Sequence, residues 1–296
     1  MTQTVNPQFI RSVAAGIAHW RQATAVIDER NLAQLDKDRQ NLYRAVSYGL
    51  QLAETWRETA VLASQSFPLI EQRGYWDEWL PLLEQALAHC LTPDVGHEVG
   101  LACTLLDRLG QAYRLSRQLD QAIVSHQRSE TLAQEAGDEQ ALAAARYNLS
   151  QAHLYARNYV QAEQIGRAAL AWFVQAAPED SRLMFTLNIL AQAMRFQLNR
   201  QAANDYFSQA IELARRANQS LYIARFLSNQ ALNLQENGRY AEAMACLIEA
   251  REILAPTAYE LDKITIQNNI GLLHYRLSQW AEALDAFRQT DNDYLR

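Results

Sequence analysis

Ten Gly and six Pro in 296 residues are too few for a β-rich or linker-rich chain, and 49% hydrophobic residues can bury a sizeable core. The formal net charge of -6 argues against nucleic-acid binding through a basic surface. Three widely spaced cysteines, Cys90, Cys103 and Cys246, fit reduced thiols in a cytoplasmic protein better than a disulfide framework.

No basic stretch followed by an apolar core opens the chain, so no secretory signal is expected. Apolar periodicity predicts helices over residues 8–29, 37–53, 56–72 and 77–91. The first has Ile10, Val13, Ile17, Trp20 and Ile27 as its apolar points; residues 30–36 read as a polar break and 73–76 as a turn. Residues 92–98 give the clearest loop signal and an expected boundary. Residues 1–98 are therefore read as an irregular N-terminal helical subdomain with a degenerate repeat. The strongest apolar run, 168–177, is far too short for a bilayer span, and no membrane contact is expected.

From residue 99 to 296 a unit of about 40 residues recurs five times. It is plainest at 187–216, where two amphipathic helices flank the turn Leu198-Asn199-Arg200. One column holds Ala122, Ala162, Ala203, Ala243 and Ala283, at spacings of 40, 41, 40 and 40. A second holds Gly110, Ser150, Ala191, Ala231 and Gly271, and a third Ser129, Ala169, Ala210, Ala250 and Thr290. Small side chains in register are what two crossing helices need where their backbones approach, with larger apolar residues filling the space beside them. Turn signals fall between the columns, at Arg117 to Leu119, Arg157 to Tyr159, Asn237-Gly238-Arg239 and Leu277 to Gln279 within units. Between units they are Ala136-Gly137-Asp138, Ala177-Pro178, Asn218 to Ser220 and Ala255-Pro256.

These columns and turns resemble five tetratricopeptide repeats of the long variety, and LNILAQAM at 187–194 is similar to segments of kinesin light chain repeats. The resemblance implies an all-α fold, a tetratricopeptide-type α-α superhelix (solenoid) with the irregular N-terminal subdomain attached. At the aromatic position that usually follows the small column only Tyr113 keeps Tyr; His153, Met194, Leu234 and His274 depart from it. A second resemblance covers the first hundred residues. Asp38, Asn41, Leu42 and Ala45, then Phe67, Arg73-Gly74, and Glu84 with Ala86-Leu87 are similar to the opening of the helical sensor region of STAND-type signalling ATPases. The chain has no G-x-x-x-x-G-K-[ST] phosphate loop, so this resemblance implies a sensor arm without its ATPase.

Catalysis finds no anchor. No G-x-S-x-G elbow, H-E-x-x-H or paired C-x-x-C occurs, and His89-Cys90 with His97 is the sole local His/Cys cluster. The chain is read as a non-enzyme with no cofactor and no metal. Four of the six Trp, Trp20, Trp56, Trp76 and Trp79, are expected in the core of the N-terminal subdomain rather than in an aromatic cage.

The tetratricopeptide resemblance implies that the first helix of each unit lines a concave groove. The residues it places there, and the candidate ligand-binding set, are Arg114, Tyr147, Asn148, Gln151, Asn188, Gln192, Arg195, Arg225, Asn229, Asn268 and Tyr275. Over the windows 103–115, 143–155, 184–196, 224–236 and 264–276 there are six Arg, no Lys, and only Asp107 and Glu236 as acids. Guanidinium forks match carboxylates, and Asn and Gln can both donate to and accept from a peptide main chain. The expected partner is therefore an extended, acidic protein or peptide segment, with no direct nucleic-acid contact. The function expected is a sensor or interaction arm of a cytoplasmic signalling system; a constitutive adaptor is the alternative. The last unit keeps apolar columns where a polar cap is usual, which predicts further repeats or self-association there.

Overall fold

A computed structural model describes residues 6–92 and 98–294, and packing divides the chain into two compact units, Met1–Ala156 and Arg157–Arg296. Among the described residues every regular element is helical.

The first unit holds α1 (Pro7–Ala23), α2 (Glu29–Lys37), α3 (Arg39–Gly49), α4 (Trp56–Gln65), α5 (Phe67–Arg73), α6 (Trp76–Cys90), α7 (Val99–Leu115), α8 (Leu119–Ala136) and α9 (Glu139–Tyr155). Two local expectations change here. Residues 30–36, read as a polar break, lie in α2. Its N-terminus is closed by a capping box in which Asp28 accepts from the Asn31 amide and the Asn31 side chain accepts from Asp28 N–H at 3.0 Å. Local capping thus sustains a helix of low apolar content. The helix expected over 56–72 breaks in two because Pro68, in the first turn of α5, cannot continue the ladder of α4. Trp79 and Trp56 are buried as expected, in a core that also takes Leu42, Val46, Phe67, Ile70 and Leu83. That core runs on into Leu105, Leu106 and Leu109 of α7, so the described packing crosses residue 98.

The second unit holds α10 (Tyr159–Ala176), α11 (Arg182–Phe196), α12 (Arg200–Arg216), α13 (Ser220–Glu236), α14 (Tyr240–Leu254), α15 (Glu260–Arg276) and α16 (Trp280–Tyr294). The hairpins α11–α12, α13–α14 and α15–α16 each close on a buried alanine, Ala203, Ala243 and Ala283. The partner column is buried too: Ala191 and Ala231 have no exposure, and Gly271 has Phe287 so close that a Cβ there would lie 2.7 Å from its ring. Each hairpin turn ends its first helix in the same way. At α11 the Asn199 N–H reaches back to the Met194 carbonyl at 2.9 Å, and at α15 Gln279 reaches His274 at 3.0 Å. This geometry satisfies carbonyls that the helix end leaves open.

Candidate functional site

In the second unit the first helices α11, α13 and α15 carry polar side chains joined from helix to helix. The Asn229 side chain donates to Asn188 Oδ1 at 3.1 Å, and Asn269 donates to Ser228 Oγ at 2.8 Å. Both pairs span the same two columns one repeat apart, because the 40-residue period returns each side chain to the same place on the next first helix. Neither pair is saturated: the Asn188 amide N–H groups, the Asn229 carbonyl oxygen, the Ser228 hydroxyl proton and the Asn269 carbonyl oxygen have no partner among the described residues.

Arg225 and Asp262 flank this ladder. Arg225 donates from Nε to Oδ1 at 2.6 Å and from Nη2 to Oδ2 at 2.9 Å. The hydrogen bonds to Asp262 hold the guanidinium above its ordinary pKa. Between α13 and α15 lies a cavity of about 190 Å³ lined by Arg225, Ser228, Asn229, Asp262, Thr265 and Ile266. Arg225 is thus not the free cation that the sequence count suggests. The count misses Asp262 because α15 begins at Glu260, one turn before the window that was taken. A signal was present: Asp262 lies 37 residues after Arg225, one repeat less one helical turn.

Arg195 behaves differently. Its guanidinium lies 4.5 Å from the Phe196 ring and Nη1 is 3.8 Å from Glu236, while its Nε is buried without a partner. Burial lowers its pKa, partly offset by Glu236. Gln192 and Asn268 are half-buried on the same helices. Tyr275 is exposed and meets Trp280 edge-on at 5.1 Å.

In the first unit, Arg114 stacks over Tyr155 at 5.1 Å with its Nε unpartnered. Tyr147 and Gln151 are half-buried. Asn148 is buried, 6% exposed. Arg146 pairs with Glu130 at 2.8 Å. His126 fills the space that Gly110 leaves, with Nδ1 3.5 Å from Asp107. His153 is buried, and burial lowers its pKa.

The His89, Cys90 and His97 cluster is not assembled as a metal site by what is described. His97 lies outside the described residues, His89 stacks on Trp56 at 5.6 Å, and burial pushes the Cys90 thiol up to about 11. No group of three or more metal-ligating side chains occurs among the described residues. No described helix is long and apolar enough to cross a membrane.

Sequence reasoning gave no sign of a second, apolar cleft of about 460 Å³. Leu170, Val174, Leu183, Leu187 and Leu213 line it between α10 and α12.

A tetratricopeptide repeat family model matches residues 222–290. No curated protein matches the chain. Among solved structures, the apo form of RapI superposes with a TM-score of 0.71 at 16% identity over 97% of each chain. NprR in complex with its cognate peptide NprX gives a TM-score of 0.63 at 15% identity, covering 94% of this chain and 77% of NprR. A Podosopora anserina kinesin light chain with nearly identical tetratricopeptide-like repeats gives 0.55 at 18% identity, covering 67% and 95%. The chain has an all-α fold of the tetratricopeptide-type helical repeat kind.

Proposed function

We propose that the chain is a peptide-binding module that takes an extended protein segment along the first-helix face of its second unit, as the sensor or interaction arm of a cytoplasmic signalling system. The observation that carries this reading is the ladder Asn188–Asn229 and Ser228–Asn269, whose open groups are the Asn188 amide N–H on α11, the Asn229 oxygen and Ser228 hydroxyl on α13, and the Asn269 oxygen on α15. An extended main chain presents both N–H and C=O groups, and matching them costs no charge burial. NprR, of similar fold, is a peptide-bound example by its own description. The fold is equally compatible with constitutive protein contacts, so an adaptor that binds without sensing is the alternative.

An acidic segment is the second form of this reading. It rests on Arg195, whose contact with Glu236 is long at 3.8 Å, and not on Arg225 or Arg146, which already hold carboxylates at hydrogen-bond distance. Binding that depends on Arg195 should weaken with added salt, because charges reached by solvent are screened within about 8–10 Å at physiological ionic strength.

The test is a peptide-array screen with the wild-type chain and the double variant Asn188→Ala, Arg195→Ala. Removing one rung and one cation is expected to lower affinity by roughly tenfold or more for every retained peptide. Equal affinity of both proteins for the same peptides places binding elsewhere.

A further inference from the structure

The cavity between α13 and α15 has a composition that selects among ligand side chains. Its size, about 190 Å³, is below that of pockets for whole small molecules and suits one side chain. Ile266, 2% exposed, lies among apolar neighbours in the core, and the remaining lining is polar. The open functions are countable. Arg225 uses Nε and Nη2 on Asp262, which leaves Nη1 as a donor. Ser228 accepts from Asn269, which leaves its hydroxyl proton as a donor. Asn229 donates one N–H to Asn188, which leaves its carbonyl oxygen as an acceptor and its second N–H as a donor. Asp262 is 19% exposed and keeps lone pairs beyond the two that Arg225 occupies.

Four classes of side chain can be weighed against this set. A carboxylate would give one guanidinium two carboxylates to satisfy and would meet the Asn229 oxygen with another acceptor. An ammonium or guanidinium would be placed against Arg225, whose charge Asp262 already balances. An aliphatic group would strip water from the Ser228 hydroxyl, the Asn229 oxygen and Arg225 Nη1 without replacing it, the costly side of hydrogen-bond exchange. A carboxamide has one acceptor oxygen for Arg225 and Ser228, and two N–H donors for Asn229 and Asp262, with no net charge to bury.

We propose that this pocket is a specificity subsite for a carboxamide side chain, Gln or Asn, of the segment bound on the first-helix face; the proposal rests on the peptide-binding reading above. Asn229 then has two duties, holding Asn188 with its amide and reading the ligand amide with its oxygen. The Arg225–Asp262 pair sets the neutrality of the pocket and so excludes both signs of charge.

The probe is a positional-scanning library of acetylated, C-terminally amidated octapeptides, presented to the full chain. One position of the retained pools is expected to favour Gln or Asn over Glu and Leu by roughly tenfold, the equivalent of one lost hydrogen bond. Asn229→Asp, nearly isosteric, turns the neutral pocket into an anionic one and should move that position's preference to Lys or Arg. Ser228→Ala should flatten the amide preference and leave selection at other positions intact. Thr265→Phe, at an exposed position on the pocket wall, should abolish it by filling the space. Circular dichroism melts identify any variant that fails to fold, and the exposed Thr265 site keeps the test available if Asn229→Asp does. Retained pools that show no amide preference, or an amide preference that all three variants leave unchanged, overturn the subsite alone. Failure of the wild type to retain any pool overturns the peptide-binding reading, and the subsite with it.

Discussion

Arg117, Arg157, Leu198, Gly238 and Ser278 occupy one position in the turn inside each hairpin, with φ of 65, 62, 65, 73 and 58°. All five backbones are left-handed there, and only one residue is glycine. A non-glycine residue pays about 1–2 kcal/mol for this conformation because its Cβ crowds the carbonyl oxygen that follows. The turn persists because it is over-determined: Leu198 N–H bonds the Arg195 carbonyl at 3.0 Å while Asn199 bonds Met194 at 2.9 Å. Leu198 is 71% exposed, so its side chain returns little by packing. Leu198→Gly is therefore expected to stabilise the chain by about 0.5–1 kcal/mol, strain relief exceeding the extra entropy that glycine gives the unfolded chain. Scanning calorimetry should find a higher Tm; a lower one would mean that the backbone there is not strained. The sequence marked where these turns lie, but their handedness was visible only at Gly238, since a left-handed Leu or Arg leaves no compositional trace.

The helical hairpin is the element in which sequence and structure agree most closely, and the reason is steric. A small residue at a crossing cannot be replaced by a larger one without separating the helices, so the columns had to recur. The facing residues compensate: Gly110 admits the His126 ring and Gly271 the Phe287 ring, while Ala191 packs in one cluster with Phe207. Ala203 has no exposed surface. Ala203→Leu should overpack the α11–α12 crossing and cost about 1–3 kcal/mol, read as a lower urea midpoint at unchanged slope. Wild-type melting of that variant would show the crossing to lie elsewhere. Periodicity failed where local chemistry rather than burial decides an element. Asp28 and Asn31 start α2 within a stretch too polar to be read as helix, and Pro68 divides a helix whose apolar spacing runs on unbroken. The same limit affected the candidate site. Asn188, Asn229, Asn268 and Arg225 fall on first helices as expected, but the partner of Arg225 is contributed by the first turn of the next repeat. Helix boundaries are the least legible feature of a sequence, and a window beginning four residues late hid the carboxylate that neutralises the arginine.

At the scale of the whole molecule, a repeat array offers no single cavity that must be the site. Its recognition surface has to be inferred from side chains that the array does not use on itself. In the second unit those are the open groups of the Asn188–Asn229 and Ser228–Asn269 pairs and the free nitrogen of Arg225. The apolar cleft beside Leu170, Val174 and Leu213 is the rival surface, formed by α10, α11 and α12 of the same unit. The measurement that separates them is photo-crosslinking with a benzophenone amino acid. It is placed at Leu272, exposed on α15 two turns beyond Thr265 on the same helix face, or at Gln209, exposed on α12 at the edge of the cleft, and challenged with the best-retained octapeptide pool in labelled form. The account predicts labelled adducts from Leu272 and none above background from Gln209. Adducts from Gln209 alone would place the ligand on the second helices and contradict it.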